Sequence, residues 1–130
     1  MCSLKTLASA AVCNLAALGA PAFAGQSLDL AREFANCTGR YSALMEHEWL
    51  MGTTGAGATR ARRNAFAELV AAVAAPDNGP RLLAWRIEAK AAQARLLQHA
   101  AFATDPAARD TAERRAAGLI AACDQLMLGS

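Results

Sequence analysis

Residues 76–80 read Pro-Asp-Asn-Gly-Pro and form the strongest break in the chain. Two prolines flank an Asn-Gly pair that favours turn geometry, so neither a helix nor a strand continues through the segment. The sequence on both sides is rich in alanine, which accounts for 35 of the 130 residues and favours helix over strand. The segment therefore predicts a tight connection between two long helices.

Upstream of this break, apolar residues recur every three or four positions, as in amphipathic helices. The pattern predicts a first helix over 27–51, capped by Ser27, and a second helix over 59–75, capped by Thr59 or a neighbour. Between them, the glycine-rich segment 52–57 has too much backbone freedom to continue a helix.

Downstream, the same spacing predicts a third helix over 80–103, with a broad apolar stripe that includes Leu83 and Ile87. A fourth helix is expected to begin at Pro106, where a missing N–H costs nothing, and to be capped by Asp105. Four helices with short connections predict one all-α domain, an antiparallel up-down four-helix bundle.

Residues 1–24 have the features of a cleaved secretory signal peptide. Lys5 precedes an apolar stretch that is too short to span a membrane, and Ala22-Phe23-Ala24 matches a cleavage site. Cleavage would leave the bundle domain at 25–130 with no transmembrane segment. Since Lys5 is removed, the net charge of +2 falls to +1, which does not favour nucleic acid as a partner. We expect an exported protein, periplasmic or extracellular.

Cys37 and Cys123 are the two cysteines that the mature chain would keep. In an up-down bundle the first and last helices are adjacent and antiparallel, and the helical rise places the cysteines about 21 Å and about 25 Å from the same end. Both occupy the apolar stripe of their helix. The sequence therefore predicts a Cys37–Cys123 disulfide that staples the bundle, with two buried free thiols as the alternative.

The histidines offer one candidate metal site. His47 and His99 each lie near the end of a helix, and helices 1 and 3 end at the same pole of the predicted bundle. Met51 or Met45 would add a soft ligand, so copper or non-covalent haem is the cofactor that such a site would favour. The absence of a C-x-x-C-H motif excludes covalent haem. Outside this alternative, no cofactor is expected.

The stretch 41–51 is the least alanine-like part of the chain and is the candidate partner-binding segment. Large aromatics are scarce here, and an exposed tryptophan is a typical interface anchor. Glu48 falls near the apolar stripe of its helix, where it would pair with Arg40 or with an arginine from another helix. We expect another exported protein to be bound by this set of residues: Tyr41, Glu48, Trp49, Trp85, Arg60, Arg62 and Arg63.

No enzyme signature is present. His47-Glu48 begins an H-E-x-x-H motif, but Met51 stands where the second histidine is needed. The glycine-rich segment lacks the preceding strand of a phosphate-binding loop, and no G-x-S-x-G occurs. The sequence therefore predicts a small, exported, non-catalytic binding or accessory protein, with a metal- or haem-binding bundle as the alternative.

Overall fold

The computed structural model describes residues 20–129, with side chains from Gly25 onward. It contains four helices: α1 (Ala20–Met51), α2 (Ala56–Val73), α3 (Gly79–Phe102) and α4 (Pro106–Leu128). Together they form the predicted antiparallel up-down bundle, and no strand occurs in the described part of the chain. Most of the predicted signal segment, residues 1–19, lies outside the described residues.

Two helix starts differ from the predictions. α1 is already helical at Ala20, the first described residue, so Ser27 lies inside the helix rather than at its start. α2 begins at Ala56 rather than near Thr59. Thr59 therefore lies in the first turn of α2, where its side chain is buried, and does not cap the helix.

The end of α1 is fixed by Gly52, which adopts a positive φ of 67°. Its N–H donates to the carbonyl of Trp49, and the N–H of Thr53 donates to the carbonyl of Glu48. This pair of hydrogen bonds is the Schellman pattern, which satisfies the last carbonyls of a helix and favours glycine at the left-handed position.

The start of α4 agrees with the sequence prediction. Asp105 accepts hydrogen bonds from the backbone N–H groups of Ala107 and Ala108, and Pro106 occupies the first helical position. An aspartate in this role satisfies N–H groups that have no partner within the helix. The α3–α4 connection is therefore only three residues long, Ala103 to Asp105.

α1 is the central helix of the bundle and packs against all three others. Its largest interfaces are with α2 and α3, whereas its interface with α4 is the smallest. α1 and α3 run parallel, since Arg32 lies over the ring of Trp85 and, further along both helices, Glu46 pairs with Lys90. This direct contact between two parallel helices places α3 beside α1.

Gly39 explains how α1 and α3 come so close. A Cβ at this position would overlap the carbonyl oxygen of Arg86 and would lie 2.9 Å from the amide nitrogen of Lys90. Any side chain would therefore collide with the backbone of α3. The absence of a side chain at one position sets the distance between the two helices.

The apolar core has two parts. The larger part is built around Phe66 of α2, whose ring centre lies 6.1 Å from that of Phe34 and 5.7 Å from that of Tyr41, with the Tyr41 ring stacked. The smaller part joins Ala31 and Ala35 to Leu82. Three aromatic rings in contact supply most of the bulk that an alanine-rich core otherwise lacks.

The predicted apolar stripe of α3 is wrong in part. Leu83 and Ile87 are more than half exposed, whereas Gln93 is fully buried. Among the described helices α3 packs against α1 and α4 but forms no interface with α2, so no helix covers these two large aliphatic side chains. Leu82, at the start of the same predicted stripe, is buried.

The predicted disulfide is present. Cys37 and Cys123 are joined at an S–S distance of 2.05 Å, and both are completely buried. Their similar heights on antiparallel helices follow from the helical rise, as predicted from the sequence. Arg40 directs one guanidinium nitrogen to Cys123 Sγ at 3.5 Å, so it contacts the disulfide and does not pair with Glu48.

Candidate functional site

The end of the bundle that carries the α1–α2 and α3–α4 connections exposes several large apolar side chains. At the end of α1, Trp49 is 57% exposed, Leu50 76% and Met51 48%. Phe102, the last residue of α3, is 64% exposed. Because α1 and α3 are parallel, both helices end at this pole. We call these four residues the loop-end patch.

Trp49 is placed as a partner-binding residue requires, at the surface and near the end of its helix. Tyr41 is not. Its ring is buried in the core against Phe66, and its hydroxyl donates to Asp124 Oδ1 at 2.5 Å. The prediction that Tyr41 belongs to a surface is therefore corrected. Tyr41 lies about two turns before Trp49 on α1 and faces the core, whereas Trp49 faces solvent.

Trp85 lies away from the loop-end patch. It is half-buried in the first half of α3, where it packs against the smaller part of the core. The guanidinium of Arg32 lies 5.2 Å from its ring centre, a distance typical of a cation–π contact. The structure therefore does not bring Trp49 and Trp85 onto one surface.

Glu48 supports the α1–α2 connection. Its carbonyl accepts from the N–H of Thr53, and its carboxylate lies beside Gly55, where an added Cβ would be 2.6 Å from Oε1. The other oxygen, Oε2, is buried without a hydrogen-bond partner. Gly55 thus makes room for a carboxylate that faces the loop, behind the loop-end patch.

The three arginines of α2 have different environments. Arg60 is exposed, and Arg62 forms an ion pair with Asp124 of α4 at 3.5 Å. Arg63 is half-buried, and its Nε has no hydrogen-bond partner. The predicted cluster is therefore spread around α2, and one of its members links α2 to α4 beside the Tyr41 hydroxyl.

The candidate metal ligands lie at the predicted pole but line different clefts. His47 is half-buried between α1 and α3, whereas His99 is exposed beside clefts between α3 and α4. Met51 is half-exposed and Met45 is buried. Within residues 20–129, no group of three or more His, Cys, Asp or Glu side chains is placed to hold a metal ion. The copper or haem interpretation stays a prediction.

Comparison with known proteins adds no relative, since no family model, curated protein or solved structure matches the chain. None of the helices within residues 20–129 combines the length and the apolar character that crossing a membrane needs.

Sequence reasoning missed two residues of the loop-end patch. Leu50 lies five residues after buried Met45, which turns it about 140° around the helix from that core position, so the helical angle was sufficient to place it outside. Phe102 was assigned to no face. Its exposure depends on the helix ending at that residue, and the position of a helix end is set by the following turn.

Proposed function

We propose that this protein is an exported, non-catalytic binding or accessory protein that holds another exported protein through the loop-end patch. The single observation that carries the proposal is the run of three consecutive exposed apolar residues, Trp49 to Met51, at the same pole as exposed Phe102. Side chains of this size are costly to leave in water, and tryptophan is enriched among the residues that dominate binding energy.

The setting of these residues supports the proposal. The Schellman turn at Gly52 fixes the backbone at Trp49, and the carboxylate of Glu48 packs against the following loop, so the indole projects from an ordered helix end. A preorganised anchor loses little conformational entropy when a partner binds. The partner surface that fits is an apolar groove that accepts an indole and its aliphatic neighbours.

Export is supported by the chemistry of the core and by the start of the sequence. A buried disulfide persists in oxidising compartments, which include the periplasm and the extracellular space. Residues 1–24 have the order of a signal peptide. The mass of the protein recovered from an exported fraction tests this part, with a chain beginning at Gly25 expected and a chain that retains residues 1–24 contradicting it.

The binding proposal is tested by crosslinking and capture from the exported fraction of the source cells, followed by titration with the purified partner. In one variant Trp49→Ser and Leu50→Ser are combined. In the control, Leu83→Ser and Ile87→Ser remove two similarly exposed apolar residues from the first half of α3. We expect about tenfold or greater loss of affinity in the first variant only. Equal affinities in both variants would refute the loop-end patch as the interface.

A further inference from the structure

A cavity of about 390 Å³ lies between α3 and α4, with Leu44 of α1 also in its wall. Its volume falls within the range of small-molecule sites. The lining is mainly apolar, and the residues that α4 contributes are spaced three or four apart, so they form one stripe of that helix. Alanines on this stripe leave the space open, and the apolar lining includes Leu44, Leu97, Ala116, Ala117, Ile120 and Ala121.

Gln93 is the polar side chain buried in this wall. It is fully buried, and its Nε2 donates to the carbonyl oxygen of Ala116 at 3.1 Å. Because only an N–H can donate to a carbonyl, this bond fixes the orientation of the amide. The remaining atom, Oε1, is buried and accepts no hydrogen bond. An unpaired buried acceptor costs free energy that a leucine of similar size would not cost.

The charged groups that line the cavity are carboxylates. Glu113 and Asp124 are eleven residues apart on α4, so they are separated by about 16 Å along the helix. No basic side chain lines the cavity in the described part of the chain. Asp124 is bound by the Tyr41 hydroxyl and by Arg62, whereas Glu113 is exposed. This arrangement disfavours an anion and accepts a neutral or cationic molecule.

We propose that the cavity between α3 and α4 binds a small, mainly apolar molecule, neutral or cationic, whose N–H or O–H donates a hydrogen bond to Gln93 Oε1. This site is separate from the loop-end patch and does not depend on the function proposed for that patch. Binding removes apolar ligand surface from water and supplies a hydrogen bond to the buried amide oxygen, which has none.

The probe for the test is N-phenylnaphthylamine, a neutral fluorescent molecule with a single N–H donor on an apolar scaffold. Its N-methyl derivative has no donor, and anilinonaphthalene sulfonate adds a negative charge to the same scaffold. In the oxidised wild-type protein we expect the first probe to bind, the N-methyl derivative to bind about tenfold more weakly, and the sulfonate to bind more weakly than the neutral probe. Failure of the neutral probe to bind, or equal binding of all three, would overturn the proposal.

Matched variants locate the binding. Ala117→Leu places a larger side chain in the cavity and should abolish binding, whereas Ala122→Leu, on an exposed position of α4 outside the cavity, should not. Gln93→Leu should make the affinities of the neutral probe and its N-methyl derivative equal. Thermal unfolding confirms that each variant is folded. Loss of probe binding in the Trp49→Ser and Leu50→Ser variant, with retention in Ala117→Leu, would assign the dye to the loop-end patch and reject the cavity.

Discussion

At the scale of single residues, Tyr41 connects three helices. Its ring stacks on Phe66 of α2, and its hydroxyl donates to Asp124 of α4, which also pairs with Arg62. Burial raises the pKa of the Tyr41 phenol well above its ordinary value of 10.0. The hydrogen bond to Asp124 and the negative charge of Asp124 raise this pKa further, whereas the positive charge of Arg62 lowers it. The sequence analysis grouped Tyr41 with partner-binding residues and did not reveal this bond, because Asp124 lies 83 residues away along the chain.

This raised pKa predicts alkaline destabilisation. The unfolded chain loses the phenol proton near pH 10, whereas the folded chain keeps it to a higher pH, so the contribution to stability is complete below about pH 10 and falls above it. The expected slope is about 1.4 kcal/mol per pH unit. Tyr41→Phe should lower the free energy of unfolding by about 1 kcal/mol at neutral pH and remove that slope.

Urea unfolding at a series of pH values measures both effects. Tyr41 is the single tyrosine of the chain, so ultraviolet absorbance follows its ionisation directly, with the urea-unfolded protein as the reference. If the Tyr41 phenol lost its proton over the same pH range in the folded and in the urea-unfolded protein, the contact with Asp124 would not raise its pKa.

At the scale of helices, the close approach of α1 and α3 at Gly39 yields a paired prediction. Gly39→Ala places a methyl group against the backbone of α3 and should lower the free energy of unfolding by about 2–3 kcal/mol. Gly118→Ala, on an exposed turn of α4 with nothing within 4 Å, should raise it by about 0.5–1 kcal/mol through helix propensity. Chemical denaturation of both variants measures these changes in the free energy of unfolding. A Gly39→Ala protein more stable than the wild type would contradict the close packing of α1 on α3.

The helices themselves were predictable because they depend on local signals. Pro76 to Pro80 and Asp105-Pro106 mark two connections, and the apolar spacing marks the segments between them. The helical state of residues 20–26 was not predictable, because Ser27 has the chemistry of a helix cap and was therefore expected to mark the start of α1. The burial of Gln93 was not predictable either, since polarity argues for the surface and only the contact between α3 and α4 places it inside.

At the scale of the whole molecule, the disulfide joins the first and last helices across 86 residues. In the chain-entropy account, closing so long a loop stabilises the folded state by about 4–5 kcal/mol. In the double variant Cys37→Ala and Cys123→Ala, the free energy of unfolding should fall by that amount and the melting temperature should be much lower. Calorimetry of the oxidised protein and of this variant measures the difference, and a change below about 1 kcal/mol would show that the helix contacts suffice.

The candidate site was predictable only in outline at this scale. The sequence identified Trp49 as an anchor, but joining it to Phe102 required the parallel packing of α1 and α3. Tyr41 and Trp85 were grouped with Trp49 by residue type. The fold separates all three, because a helix turns by about 100° per residue and the bundle is several turns long.

The Cys37–Cys123 bond also decides how the molecule carries mechanical load. A pull applied to the chain before Cys37 and after Cys123 passes from α1 to α4 through the two sulfur atoms. All of α2 and α3 lies outside that path and remains unstretched. Under tension, only the segments before Cys37 and after Cys123 extend. The residues between the two cysteines form a closed loop that carries no load.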